Sequence, residues 1–216
     1  LSGGIDSALA AALSVDAIGY ENVNCFMLPS KFTSQNSNDD AVDLANRLNI
    51  ELENLSIEVV YNSVEKLLHK NFDKMEKDIT EENIQSRVRA LLLMAISNKF
   101  GNMLISTSNK SESAVGYSTL YGDMSGGFAP LKDVWKTDVI ALCNWRNKNL
   151  PKISKFQEID IIPKNIISKP PTAELRENQK DSDSLPEYDQ LDKILASAIE
   201  DMKSEEEIIA LGYDQK

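Results

Sequence analysis

Histidine is all but missing from this chain. His69 stands alone, and Cys25 and Cys143 are the only cysteines. No Cys/His spacing suits a metal site, and two cysteines make no disulfide framework. His69 follows Leu67 and Leu68 on a polar-faced helix and reads as a surface residue rather than a catalytic base. Cys25 lies in an apolar run and Cys143 in an apolar helix, so both read as buried thiols. This usage fits a reducing cytoplasm. Positive charge is also scarce: 23 basic residues face 34 acidic ones, for a net charge of −11. That argues against a nucleic-acid-binding surface. It leaves room for a nucleotide, which needs only a few local cations. No apolar run is long enough to cross a bilayer, and no secretory signal is visible. A P-loop string (Gly, four residues, Gly-Lys, then Ser or Thr) is absent too, which disfavours γ-phosphoryl transfer of that kind.

What is present is an ordinary composition for a folded domain: 216 residues, 42% hydrophobic and 26% charged. One sizeable core is within reach. The chain is organised around its first stretch, Ser2-Gly3-Gly4-Ile5-Asp6-Ser7, which runs into Ala8-Leu9-Ala10-Ala11-Ala12-Leu13. Adjacent glycines allow a tight turn and a close approach to a ligand. The Ala/Leu run forms helix well. A tight turn at a helix N-terminus presents free N–H groups and the positive end of the dipole to an anion. Ser2 and Ser7 add hydroxyls. Asp6 is the odd member, because a carboxylate beside a phosphate cradle repels it unless a cation intervenes; this suggests Mg²⁺. The same string is also consistent with a capped helix after a glycine turn, holding no ligand.

Further along, Val23 to Leu28 reads as a buried strand closed by Pro29. Ser30 to Asn38 is polar and expected to be mobile, with a helix starting near Ser37. Ile50, Leu52 and Leu55 to Ile57 suggest a short strand, and a helix is expected from about Ser63 to Phe72. Glu81 and Glu82 open a longer helix ending at Gly101. Its expected apolar face is Ile84, Val88, Leu91, Leu92 and Ala95, with Gln85 and Arg89 on a polar face. Met103 to Thr107 is the cleanest central strand. Helices follow at Asp138 to Arg146, Pro163 to Ser168, Leu191 to Met202, and after Ser204. Lys169 to Asp189 has no apolar periodicity and reads as a flexible lid. Alternating strands and helices imply an α/β fold, a doubly wound parallel sheet with helices on both faces. Ligands in such sheets bind beyond the carboxyl ends of the strands. That places the Ser2 to Ser7 loop, the segment after Leu28 and the segment after Ile105 around one crevice. The loop begins at once and Leu1 is not an initiator Met, so we expect a single domain over 1–216, truncated at both ends.

The SGGxDS string resembles the pyrophosphate loop of the N-type ATP pyrophosphatases, an adenine nucleotide alpha hydrolase-like fold. Other strings narrow the resemblance. Glu82 to Arg89, Thr107 to Glu112, Val115 to Asp123, Gly127 to Lys136 and Lys169 to Asp189 are similar to NAD⁺ synthetase, in order and spacing. The variety it resembles most is the synthetase part of glutamine-dependent enzymes. The resemblance implies ATP-dependent amidation of deamido-NAD⁺: its carboxylate attacks the α-phosphate, pyrophosphate leaves, and ammonia displaces AMP. It implies that Ser2, Gly3, Gly4, Asp6 and Ser7 hold pyrophosphate, that Asp6 and Glu112 bind Mg²⁺, and that Thr107, Lys136 and Thr172 contact ATP. Asp6, Glu112 and Lys136 form the implied catalytic set. Asn83, Arg87, Glu112 and Asp123 are the implied deamido-NAD⁺ ligands. Arg87 and Arg89 offer forks that suit a phosphate, or could each pair with a surface acid. The adenine is expected near Met27 and Leu28, although some ammonia-dependent members carry an Arg where Met27 stands.

The family implies a homodimer or larger homo-oligomer, ammonia from solution or from an N-terminal glutaminase domain, a cytoplasmic setting, and neither a nucleic-acid nor a membrane partner. Glutamine-dependent relatives continue past the Gly212-Tyr213-Asp214 region into a basic tail with a substrate-binding Lys, whereas this chain ends at Lys216. Two other readings share the loop. One is another adenylating amidotransferase or thiolase, such as a GMP synthetase or a tRNA-thiolating enzyme. The Tyr-Gly-Asp segment and the acidity speak against these. The other is a catalytically silent ATP-binding module, against which Asp6, Glu112 and Lys136 together weigh.

Overall fold

The computed structural model describes residues 1–213. Its organising element is α1, Ile5–Ile18, which ends at Gly19 with φ +88°. Five consecutive residues, Ala8 to Ala12, are buried, so the helix is enclosed on nearly every side rather than along one stripe. Small side chains make that possible, because neighbours can approach closely all round. Leu9, Val15, Leu44, Leu131, Val139 and Ile162 form the centre of the core around it.

The parallel sheet is short. Strand β1, Cys25–Met27, pairs in parallel with β2, Leu52–Asn54, in the register Cys25 to Leu52. The Leu1 ammonium donates to Phe26 O at 2.6 Å, so the chain enters alongside β1. The central strand expected over Met103 to Thr107 is reduced to one parallel bridge, Ile105 with Phe128. Met103 lies 66% exposed at its start, and the pairing partner comes from the Gly-rich segment rather than from another long strand.

Helix α2, Gln35–Arg47, begins earlier than expected and is capped by Ser34. Part of the polar segment after Pro29 is therefore helical. Helix α3, Glu58–Leu68, also starts earlier, because Ile57 and Tyr61 are buried and anchor its first turn. Helix α4, Ile79–Phe100, has a full capping box on Asp78 and ends at Gly101 with φ +70°. Its buried residues are Gln85, Ser86, Val88 and Ala90; of the expected apolar stripe only Val88 is buried, and Leu91 is 62% exposed. Distant groups offset part of the cost of burying these polar side chains, although Gln85 Oε1 is buried without a partner. Gln85 Nε2 donates to Leu175 O at 2.8 Å, and Ser86 Oγ to Asp123 at 3.1 Å.

The remaining helices are α5 (Lys110–Val115), α6 (Lys136–Lys148), α7 (Lys164–Ser168), α8 (Tyr188–Ile199) and α9 (Glu205–Ala210). The positions of α6 to α9 follow the sequence reading within a few residues, whereas α5 was not expected. As expected, Cys143 is buried and His69 exposed, while Cys25 is half-buried. No helix among the described residues is long and apolar enough to cross a membrane. Asp214, at the edge of the expected tail, lies outside the described residues.

Candidate active site

The loop before α1 is built on hydroxyls. The Ser2 amide donates to Ser7 Oγ at 3.2 Å, the Gly4 amide to Ser2 Oγ at 3.2 Å, and Ser7 Oγ to Gly4 O at 3.0 Å. Gly3 has φ +78°, and a Cβ there would lie 2.3 Å from Ser37 O. Only glycine fits that backbone against the first turn of α2. Ala8 supplies the first amide bonded back within α1, to Gly4 O. The amides before it sit at the positive end of an enclosed helix, pointing toward the same mouth.

At that mouth the two acids meet. Asp6 comes from α1 and Glu112 from α5, far apart in sequence, and both reach one ammonium from α6. Lys136 Nζ stands 2.6 Å from Asp6 Oδ2 and 3.1 Å from Glu112 Oε1. Asn109 ties them from below: its Nδ2 donates to Asp6 Oδ1 at 2.8 Å, and its Oδ1 accepts the Glu112 amide at 2.9 Å. Burial, with Asp6 next in weight, pushes the Glu112 carboxyl up to about 7. Burial alone would lower the Lys136 ammonium, but Asp6 and Glu112 hold it above the ordinary lysine value. The Tyr188 ring lies 5.1 Å from Lys136 Nζ.

The other expected residues fall into separate places. Thr107 follows the Ile105 bridge and is half-buried. Asn83, Arg87 and Asp123 form a second group where the loop over 117–123 rests on α4. Thr119 Oγ1 donates to Asn83 Oδ1 at 2.7 Å, the Thr119 amide donates to Asp123 Oδ1 at 3.0 Å, and Arg87 Nε donates to Leu120 O at 3.2 Å. In this structure their polar groups hold that loop. Arg89 is half-buried and donates to Leu28 O at 2.9 Å, so a backbone carbonyl of the expected adenine region already has a donor. Burial pulls Arg89 down to about 10, with Glu174 offsetting part of the effect.

The lid is seated rather than free. Glu174 accepts from the Ser34 amide at 3.2 Å and from the Ser34 and Ser37 hydroxyls at 2.7 and 2.9 Å. Arg176 lies 3.3 Å from Glu82, and Asp181 accepts the Tyr117 and Tyr188 phenols. The sequence reading weighed the lid's lack of apolar residues and could not see these polar partners. Thr172 Oγ1 turns inward to Gln179 O at 2.6 Å. Thr172, Lys31, Phe32 and Ser34 help line a cleft of about 520 Å³ between the lid and the segment after β1.

The sequence reading passed over three residues that shape the site: Asn109, Tyr188 and Asp192. A signal existed for Asn109, since Asn-x-x-Glu before a helix is a capping pattern. For the other two there was none. Among the described residues, no group of three or more His, Cys, Asp or Glu could hold a metal. The Asp6 and Glu112 carboxylates are the oxygen donors that Mg²⁺ prefers, and a pair of them would leave the rest of its shell to other ligands and water.

A family model described as NAD synthase matches residues 1–216. The chain is 54% identical over 215 residues to a glutamine-dependent NAD(+) synthetase of Rhodobacter capsulatus, covering 100% of this chain and 39% of that protein. It is 49% identical over 216 residues to one from Thermotoga maritima, covering 100% of this chain and 36% of that protein. Among solved structures, a glutamine-dependent NAD+ synthetase from Acinetobacter baumannii in complex with ADP superposes with a TM-score of 0.73 at 46% identity, over 100% of this chain and 37% of that one. An NMN synthetase from Francisella tularensis superposes with a TM-score of 0.77 at 29% identity, over 94% of this chain and 76% of that one. The chain thus spans about two fifths of the length of the curated relatives it matches.

Proposed function

This chain belongs to the NAD synthase family, and from that premise we propose that it is the synthetase part, residues 1–216, of a longer enzyme that amidates deamido-NAD⁺ to NAD⁺ at the expense of ATP. The observation that carries the reading is the convergence of Asp6 and Glu112 on one Lys136 ammonium at the mouth of the Ser2 to Ser7 loop. Two acids and one cation leave an excess negative charge, and Mg²⁺ fits that pair. When bound there, Mg²⁺ would supply charge neutralisation for the phosphates.

The chain's own residues do the rest by holding anions in line. Ser2, Gly3, Gly4 and Ser7 offer amides and hydroxyls to the β- and γ-phosphates, which leave as pyrophosphate. Lys136 and Thr107 face the nucleotide, and Thr172 approaches from the lid. Asn83, Arg87, Glu112 and Asp123 bind deamido-NAD⁺. A substrate carboxylate oxygen attacks the α-phosphorus, and the α–β bond breaks. Ammonia then attacks the acyl carbon and AMP leaves with the bond electrons. A carboxylate acylates poorly, and the adenylate gives it a good leaving group, so alignment and charge neutralisation are the main demands. A lid that excludes water protects that adenylate. Ammonia comes from glutamine if the longer protein carries a glutaminase domain. The apolar side chains that α4 leaves exposed, Leu91 among them, support a homodimer or larger homo-oligomer. We place the enzyme in the cytoplasm.

The test is product analysis with the full-length protein, ATP, Mg²⁺ and ammonia. Deamido-NAD⁺ should yield NAD⁺, AMP and pyrophosphate. ADP and phosphate as products would overturn the mechanism, and ATP binding without pyrophosphate release would make the protein a silent module. Because the chain also superposes on an NMN synthetase, nicotinate mononucleotide is the second substrate to offer. Faster amidation of it would move the substrate reading and leave the chemistry intact.

A further inference from the structure

Lys136 depends on its neighbours for its position. It is the first residue of α6, and Trp135 before it provides no side-chain cap. The leading amides of a helix have no partner within it, and an unpaired buried amide is costly. Here the acceptors come from two other helices. The Lys136 amide donates to Ser111 Oγ at 2.8 Å, and the Thr137 amide donates to Asp192 Oδ2 at 2.9 Å. Ser111 Oγ in turn donates to Asp192 Oδ1 at 2.5 Å, and Thr137 Oγ1 donates to Asp192 Oδ2 at 2.8 Å. Asp192 is 4% exposed, and Ser111 is wholly buried.

One buried carboxylate on α8 therefore closes the N-terminus of α6 and holds α5 through Ser111. Its negative charge also faces the positive end of α6. Ser111 immediately precedes Glu112. Lys136, which pairs with both acids, and Glu112 thus stand within one residue of this network. Tyr188 lies one turn before Asp192 on the same face of α8, with its ring beside Lys136 Nζ. That face of α8 reaches Lys136 in two ways, through Ser111, which accepts the Lys136 amide, and through the Tyr188 ring beside its ammonium.

We propose that Asp192, acting through Ser111 and the amides of Lys136 and Thr137, is a positioning residue that sets where Lys136 and Glu112 meet Asp6. The proposal deepens the synthetase reading and rests on it for the activity measurement alone. A plain helix cap would contribute stability and leave the Lys136 amine where it is. A positioning residue, once altered, lets that amine move.

The test uses the full-length protein with Asp192→Asn and the milder Ser111→Ala. Asn puts a donor where the carboxylate accepts, and Ala removes the link between α5 and α6. Acetylation by a soluble N-hydroxysuccinimide ester, followed by mass spectrometry, reads the Lys136 amine directly, with exposed Lys66 as reference. Lys136 should be protected in the wild type and acetylated roughly five-fold faster or more in the folded variants, as expected when a supporting shell is lost. Unchanged acetylation of Lys136 in a variant with a native circular dichroism spectrum overturns the proposal. If Asp192→Asn does not fold, Ser111→Ala decides it alone. In turnover, Asp192→Asn should lower kcat for pyrophosphate release about 10–100-fold. In a Lys136→Met background it should cost little more, because both changes act on one group. Losses that multiply instead would overturn the proposal. A wild-type protein that releases no pyrophosphate defeats the synthetase reading, and acetylation still decides the positioning role.

Discussion

Helices α1 and α6 are joined at both ends by an acid–base pair. Asp6 meets Lys136 at one end, and Asp16 meets Arg146 at the other. Each pair is ten residues along its helix from the first, about 15 Å, so the helices run in the same direction. At the Arg146 end every polar group is matched. Arg146 donates to both Asp16 oxygens, from Nε at 2.7 Å and Nη2 at 2.9 Å, while Nη1 reaches the Asn149 and Glu158 carbonyls. Ser154 adds a hydroxyl to Asp16 at 2.5 Å. At the Lys136 end two carboxylates share one ammonium, and their side chains keep 17% and 19% of their exposure. One end is a closed clamp with a rigid guanidinium fork, and the other is an open, anionic seat with a flexible point charge. The same pair of helices thus provides an anchor at one end and the proposed reaction site at the other.

Breaking the clamp should have the largest effect, and on stability. Arg146→Ala leaves Asp16 buried without its cation, which should cost about 3–5 kcal/mol. Urea denaturation would measure it, and turnover per folded molecule should stay near wild type. An Arg146→Ala protein as stable as wild type would show that the clamp anchors nothing.

Breaking the seat should act on turnover instead. Asp6→Asn should lower pyrophosphate release about 10²–10³-fold with little change in the melting temperature. Near-wild-type turnover at low Mg²⁺ would erase the distinction between the two ends.

A smaller effect concerns the seat in the absence of divalent ions. Burial, then Asp6, raises the Glu112 carboxyl to about 7, above its unfolded value. The folded state holds that proton more tightly. Glu112 therefore contributes stability that is fully present below the unfolded value of about 4.3 and lost as pH rises through the folded one. With chelator present, unfolding free energy should fall between about pH 5 and about pH 7.5, and Glu112→Gln should flatten that slope. An identical slope in the variant would show that Glu112 does not carry the proton.

Local chemistry was legible from the residues themselves. The glycines and hydroxyls of Ser2 to Ser7, the Ala run of α1, Gly19 and Gly101 as helix ends, and the Ser204 cap all act within a turn or two of chain, so composition and spacing determined them. The order of motifs also located Asp6, Glu112 and Lys136, which the fold then brings to one point. Other features depended on partners far along the chain. Helix α4 buries Gln85 rather than Leu91 because the Leu175 carbonyl, 90 residues away, accepts from it. Glu174 seats the lid on Ser34 across 140 residues, and Asp192 holds Ser111 across 81. Such bonds leave no periodic trace, since each side chain looks like any polar surface residue until its partner arrives. The sequence by itself determined most of the helices, several of their ends and the residues of the seat, but not the starts of α2 and α3 or the presence of α5. Tertiary structure alone decided which polar groups were buried, because burying one is tolerable only when a distant chain segment supplies its hydrogen bond.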